Sequence, residues 1–534
     1  MKESVLPNEQ AFDPSRSVAL TQAALPVDAP KTTVSLLDSI AVAGPGGSIT
    51  SAGLSSCLQQ FLAAETPAAA LRHWLGSVPS EKRELAAARR GLARDIGRID
   101  QLLSDQVNSI LHHPAFQALE SAWRGLRYVW QTRKELLTER GLDDKAADIE
   151  IRVLNVSKKE LKKDFEDAVD FDQNTLFKKV YEEEFGTAGG HPYGLLVANY
   201  EFTNHPEDID LLSQLSGIGA AAFSPVIASA TPALLGLDDF SALEQPLDLE
   251  HIFQQPKHRK WRSLREKPDS QFLGLTLPRI LLRAPYRNDG QHRHGFCFRE
   301  QIEAGDRSRY LWGSSAWAMA AVVMRAFSTS AWFADIRGVE RGVEGGGLVT
   351  GLETCSYNTD AAGVADRSSV EVSISDVREA ELCDLGFVPL SHCKDTPYSV
   401  FYSNQSVHKP EVFDNQVATA NARVSSMLQY VLCCSRIAHY LKVKARDKIG
   451  TVASARQIEN DLGMWLVDYV TPDEKASPAM KARFPLREAE VKVEEAPGEP
   501  GKYYLTIRLL PHYQLDQLSS CVTLVARRMD FRDS

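Results

Sequence analysis

The run GLLVANYEF at 194–202 restricts what this chain can become more than any other segment. It is almost continuously apolar over the length of a strand, a pattern that suits a strand covered on both faces. A helical stretch follows at 207–222, and then a second short apolar run, SPVIASA. Upstream, IEIRVLNVS at 149–157 alternates as a strand does, with Ile149, Ile151 and Val153 set between polar neighbours, and KKELKKDFEDAV reads as a helix. The order β-α-β-α-β predicts an α/β layer with at least partly parallel strands, because parallel neighbours need a crossover between them.

The chain has 534 residues, too many for one core. Four segments are expected. Residues 1–47 form a polar, proline-containing flexible arm around one short apolar piece, SLLDSI at 35–40, which AGPGG cuts off. Residues 48–140 are helical. Leu85, Leu92, Ile96, Ile99 and Leu103 recur at helical spacing, and after Pro114 the residues Phe116, Leu119, Trp123, Leu126 and Trp130 fall on one face. Residues 141–450 hold the α/β core. There the pattern predicts a buried helix over 310–332, a glycine-rich loop at 337–348 that opens with RGVE written twice, a strand at SVEVSISD, and one long helix from Asp414 to Lys448.

Residues 451–534 form the last segment. A helix at 454–470 starts with a Ser454–Gln457 capping pattern and has Ile458, Leu462, Trp465 and Tyr469 on its apolar face, with Arg456, Glu459 and Asn460 off that face. Next come two alternating strands around the turn APGEPG, which predict a β-hairpin. Ala489, Val491 and Val493 share one face of the first strand; Tyr503, Leu505, Ile507 and Leu509 share one face of the second. A hairpin near the end of a chain offers edges that another chain can extend. Pro511 should stop the second strand, and His512, Tyr513, Gln514 and Asp516 should make a polar corner before a last strand over 522–527.

Composition and motifs exclude several functions. A net charge of −10 argues against bulk attraction to nucleic acid, and the basic span at 257–310 suits an acidic protein partner at least as well. Eight cysteines without a CxxC pair read as reduced thiols of a cytoplasmic protein. The amino-terminal residues show no secretory pattern, and no run of eighteen apolar residues is present, so no membrane insertion is expected. GEPGK at 498–502 is too short for a phosphate loop, and GIGAAA at 217–222 suits close helix packing better than a dinucleotide. SHCK at 391–394 has the Ser-x-x-Lys spacing of some acyl-transfer enzymes, a pattern that arises often by chance. HRHGFC at 292–297 lacks a second ligand pair, and the adjacent His112 and His113 diverge on a helix. No catalytic, metal or cofactor-binding residue is therefore assigned. An enzyme built on the α/β core remains the competing class, and a convergent carboxylate, Cys/His or phosphate-loop set would be its mark.

Long colinear strings do carry a resemblance. They include HHPAFQALESAWRGLRYV at 112–129, GIGAAAFSPVIASATPALLGLDDF at 217–240, WRSLREKPDSQFLGLTLPRILLRAPY at 261–286, YLWGSSAWAMAA at 310–321 and RGVEGGGLV at 341–349. They continue with REAELCDLGFVPLSHCK at 378–394, ATANARVSSMLQYVLCCSRIAHYLKVKARDKIG at 418–450 and PLREAEVKVEEAPGEPGKYYLTIRLLPHYQLDQL at 485–518. With these the chain resembles the large subunit of the type VI secretion contractile sheath, the TssC/VipB family.

The resemblance implies a multidomain α/β contractile-sheath fold, with mixed sheets flanked by helices and a C-terminal β-hairpin for strand exchange between subunits. It implies a phage-tail-like structural protein with no cofactor, in the bacterial cytoplasm and tied to the envelope through the secretion machine. The implied partners are a small sheath subunit of the TssB/VipA type, further copies of the chain in a helical polymer, an Hcp-type inner tube, baseplate components and a ClpV-type ATPase. By the same resemblance, Val491, Val493, Tyr503, Leu505, Ile507 and Leu509 belong to the inter-subunit strands, Arg456, Glu459 and Asn460 face the inner tube, and Leu36, Leu37 and Ile40 mark the ATPase-recognition segment. The alternative is a sheath subunit of a related contractile injection machine, or a divergent paralogue outside the main cylinder. The sequence departs from the family at the doubled RGVE, at Leu510 before the Pro-His pair, in the last strand, and at the AGPGG that shortens the first apolar segment.

Overall fold

A computed structural model describes residues 58–77, 85–143, 147–168, 171–185, 187, 190–286, 296, 298–302, 306–339, 345–356, 367–394, 396–448, 455–473, 475–495, 503–512 and 522–526. The chain divides into two compact units, between Leu103 and Ser104. In the first unit, helix α1 (Pro67–Ser77) meets the first turns of helix α2 (Leu85–Leu111). The Trp74 indole N–H donates to Asp95 Oδ2 at 3.0 Å and ties the two together.

The second unit takes up the end of α2 and helix α3 (Pro114–Glu139). The expected local role of the His112–His113 pair is borne out. His113 Nδ1 accepts the Ala115 N–H as an N-cap in front of Pro114, and His112 Nε2 lies 3.1 Å from Glu300 Oε1. Helix α4 (Lys158–Asp167) starts with a capping box, in which Ser157 Oγ accepts the Glu160 N–H and the Glu160 carboxylate accepts the Ser157 N–H.

Strand β1 (Leu196–Phe202), helix α5 (Pro206–Ala222), strand β2 (Val226–Ala230) and strand β3 (Leu273–Leu277) form the expected layer. Strand β4 (Ile280–Arg283) pairs antiparallel with β5 (Leu311–Gly313). Helix α6 (Ala316–Ser330), strand β6 (Leu348–Val349), helix α7 (Asp376–Asp384) and strands β7 (Val388–Pro389), β8 (Ser391–His392) and β9 (Ser399–Val400) follow. The main sheet runs β1-β2-β3-β7, parallel throughout; β6-β9-β8 make a small antiparallel sheet.

All five residues of β2 are buried, as its apolar run requires. Val226 and Ala228 pack with Leu212 and Leu215 of α5 and with the stacked Trp261 and Phe387. Ile227 points the other way, into Met319, Val322 and Val323 of α6. GIGAAA lies within α5, where a Cβ on Gly219 would stand 3.0 Å from Ser224 O and 3.2 Å from Val226. That is the close packing expected of this glycine.

Helices α8 (Gln416–Ser425), α9 (Leu428–Lys448) and α10 (Ala455–Val467) lead into strands β10 (Leu486–Glu495), β11 (Tyr503–Pro511) and β12 (Val522–Ala526).

Four expectations are corrected. The single helix over 414–448 is two, because the passing segment 404–406 takes the main-chain bonds of the junction. Leu428 N–H donates to Asn404 O, Ser406 N–H donates to Ser426 O, and Gln405 bridges Met427. The helix over 310–332 starts only at Ala316. Leu311–Gly313 is a strand beside β4, and a Cβ on Gly313 would stand within 2.2 Å of the Leu282 side chain. SVEVSISD, at 369–376, makes a single bridge, Ile280 to Val370, rather than a named strand; the neighbouring Ser368 bridges Cys355. The segment 149–157 alternates but joins no ladder. Side chains hold it instead: Arg133 Nε donates to Ile149 O at 2.7 Å, and Tyr200 Oη donates to Val156 O at 2.9 Å. Much of the RGVE duplication, at 340–344, lies outside the described residues, as do Ser454, Gly450 and HRHGFC except Phe296. Among the described residues no helix is long and apolar enough to cross a membrane, and no cluster of His, Cys, Asp and Glu could hold a metal.

Candidate assembly site

The hairpin expected at 488–510 is present. β10 and β11 run antiparallel with Ala489 opposite Leu509, Val491 opposite Ile507 and Val493 opposite Leu505. This register puts the apolar sets of both strands on one face. Val491, Val493, Leu505, Ile507 and Leu509 are buried, against Leu462 and Leu466 of α10, Ile437 and Leu441 of α9, and Trp332. The opposite face is charged: Lys492 Nζ lies 2.5 Å from Glu494, and Arg508 reaches Glu490, its cross-strand partner, at 3.3 Å.

Helix α10 supports the apolar face as its periodicity predicts. Trp465 and Tyr469 stack edge to face with ring centres 5.0 Å apart, Tyr469 meets Trp332 at 5.1 Å, and Lys444 Nζ sits 5.3 Å over the Trp465 ring. The other side of the helix presents Arg456 and Asn460 to solvent, with Met464 and Val467 each 66% exposed. Glu459 turns the other way. It is half-buried, and its Oε2 accepts the Val493 N–H at 2.9 Å. Two residue sets that the sequence treats as separate thus meet at the rim of β10.

The sheet order is β10-β11-β12, with β12 antiparallel to β11. β11 therefore has a neighbour on both sides, and among the described residues the sheet's edges are β10, bridged by Val470 at Leu486, and β12. In an antiparallel ladder alternate residues point both backbone groups outward. The Val493–Glu459 bond identifies Val493, and with it Val491 and Ala489, as the outward set of β10.

At the far end the chain is stitched. His512 Nε2 lies 2.7 Å from Thr471 O, its N–H donates to Pro485 O at 2.9 Å, and Thr471 N–H donates to Leu486 O. Pro511 is the last residue of β11, as its missing N–H predicts. His512 serves as the polar corner; Tyr513, Gln514 and Asp516 lie outside the described residues, and so do Leu36, Leu37 and Ile40.

Comparison with known proteins decides what this sheet belongs to. Residues 93–408 match the VipB (EvpB) tail sheath N-terminal domain, and residues 417–528 match the VipB tail sheath gpW/gp25-like domain. The chain belongs to the VipB/EvpB tail sheath family. It is 42% identical over 435 residues to the type VI secretion system sheath protein TssC1 of Pseudomonas aeruginosa strain PAO1, which covers 81% of this chain and 84% of that protein. It is a structural protein of the large-subunit class of type VI secretion sheaths. The gpW/gp25-like match contains α9, α10 and the three-stranded sheet, so the candidate site lies within the second VipB domain.

Sequence reasoning missed the contact between Glu459 and Val493. The two are 34 residues apart, and no local period links a helix carboxylate to a strand N–H. Its one sequence signal was that Glu459 stands one residue after the apolar position Ile458, at the margin of the buried stripe.

Proposed function

We propose that this VipB-family chain polymerises with a small sheath subunit around an Hcp-type inner tube, and that contraction of the resulting cylinder drives the tube outward. The observation that supports this is the C-terminal sheet: the apolar side chains of β10 and β11 are used inside the chain, while among the described residues no further strand pairs with β12 or with β10 beyond its first residue, Leu486. Val491, Val493, Tyr503, Leu505, Ile507 and Leu509 then set the register and curvature of the joint, and the hydrogen bonds between subunits come from the edges. Arg456 and Asn460, exposed on α10, are the groups we assign to the inner wall, with Glu459 fixing the helix to the sheet.

Extended and contracted cylinders are two packings of the same subunits. No active site is needed. Apolar surface gained between layers, at about 25 cal/mol per Å², supplies the bias. Within this reading we keep the division into 1–47, 48–140, 141–450 and 451–534. The cytoplasm is the compartment, baseplate components start the polymer, and Leu36, Leu37 and Ile40 are the segment offered to a ClpV-type ATPase.

The test is electron microscopy of the chain co-expressed with its small sheath subunit. Tubes are expected from the full chain, and none when residues 488–527 are deleted. Tubes that persist in the deletion would refute the role assigned to this sheet.

A further inference from the structure

Among the described residues the outer border of β10 is held near both ends, and α10 with the turn behind it supplies both holds. At the near end Leu486 donates its N–H to Tyr469 O at 3.4 Å and accepts the Thr471 N–H at 2.9 Å, around the bridge between Val470 and Leu486. Toward the far end Glu459 Oε2 accepts the Val493 N–H at 2.9 Å. Between these holds Ala489 and Val491 turn their N–H and C=O outward, because alternate residues of an antiparallel ladder share a direction. Among the described residues nothing takes those groups. A border in this state is a template for another strand unless something blocks it.

The residues along this border suit pairing with a second copy. Opposite charges flank Val491, with Glu490 on one side and Lys492 on the other, both exposed on the solvent face. Two copies of β10 laid antiparallel with Val491 opposite Val491 would set Ala489 opposite Val493 and Glu490 opposite Lys492. Every outward residue would then meet an outward residue and exchange main-chain bonds with it. Carboxylate and ammonium would face each other on both sides of the centre. The remaining like pair, Glu488 with Glu494, is eased by Lys492, whose Nζ lies 2.5 Å from Glu494. Centring the pair on Lys492 also matches the outward sets, but it puts Lys492 against Lys492 and Glu490 against Glu494. Charge therefore selects the Val491 register. That register needs the Val493 N–H for Ala489 O of the second copy, and Glu459 already occupies it.

We propose that Glu459 guards this border: in the free chain its carboxylate holds the Val493 N–H and so keeps two copies from pairing β10 to β10 about Val491. Such a pair is two-fold symmetric. It uses the same border of both copies and leaves neither able to grow from it. The hold at Leu486 lies beyond the paired stretch and does not block it. The guard acts in the free chain, so it goes beyond the sheath reading and does not depend on it.

Sedimentation velocity of the full chain, purified without a partner, tests the guard. The wild type is expected to be monomeric. Glu459→Ala should raise the dimer association constant about tenfold, and Glu459→Gln, which keeps an acceptor oxygen, should stay near the wild type. Lys492→Glu added to Glu459→Ala sets Glu490 against a carboxylate and should remove the dimer. Glu490→Lys as a third change restores opposite charges and should bring the dimer back. Self-association of a misfolded variant has no reason to follow this reversal. An association constant for Glu459→Ala no higher than that of the wild type overturns the proposal. So does a Glu459→Ala dimer that is indifferent to the charges at 490 and 492.

Discussion

Glu459 sits where a helix and a strand edge are joined by one hydrogen bond. Replacing it with alanine leaves the Val493 N–H without its acceptor and should cost about 1 kcal/mol, measured by urea unfolding of the pure chain. Glu459→Gln keeps an acceptor oxygen and should lose less. Ile507, fully inside the sheet's apolar face, is a harder case. Ile507→Ala removes buried methylene volume and should cost about 2–5 kcal/mol, whereas Arg508→Ala on the solvent face should stay within about 0.5 kcal/mol. Equal losses at the two sites would contradict the pairing of Ile507 with Val491 on the covered face. At this scale the sequence showed which residues share a face, since period two settles it. It did not show that the β11 residues have ladder partners on both sides, because that depends on β12 folding back from beyond position 520.

At the scale of elements, the packing of α3 on α6 depends on the absence of a side chain at position 125. Gly125→Val would push the Trp317 indole aside and loosen two elements at once. Limited proteolysis should then cut the variant within 104–140 faster than the wild type. An unchanged digestion pattern would contradict the contact. The parallel layer and the hairpin were legible because each repeats its pattern over many residues and each has turn signals at its ends. The break between α8 and α9 was not. It is made by Asn404–Ser406, some twenty residues upstream, competing for the junction's amide groups. The segment 149–157 misled for the opposite reason: alternation is necessary for a half-buried strand but does not supply the neighbour that makes one. The apolar stripe of α3 was found in the sequence, yet sequence alone could not say that it is the uncovered side of the helix.

Across the whole molecule, buried histidines set an acid limit. Burial lowers His439 to about 4, with Arg436 and Lys442 adding to the effect and the bond to Ala222 O opposing it. Burial, followed by the Lys257 and Arg262 charges, likewise lowers His258 to about 4. In the unfolded chain both titrate near 6.5. Their folded values are depressed, so the unfolded state takes up protons first. Stability should be complete above pH 6.5 and fall as pH drops toward 4. Asp208 extends the trend. Burial raises it, but the Lys158 and Thr203 hydrogen bonds outweigh burial and bring it down to about 2, so its contribution is lost only below the ordinary aspartate range near 3.8. Melting temperature should hold from pH 7.5 to about 6.5 and then fall toward pH 4.5; a profile flat over the whole range would contradict these burials. One further consequence concerns how such chains grow. On the proposed reading, the β10-β11-β12 order gives each protomer two borders that are not alike: one carries a carboxylate latch at Val493, and the other is β12, the last strand among the described residues. A unit of valence two with unlike ends adds head to tail and does not close on itself unless its rotation happens to make a ring. A copy made defective at one border only is therefore a chain terminator. Mixed in as a minor fraction, it should shorten every polymer in the population, in proportion to its share, instead of merely lowering their number.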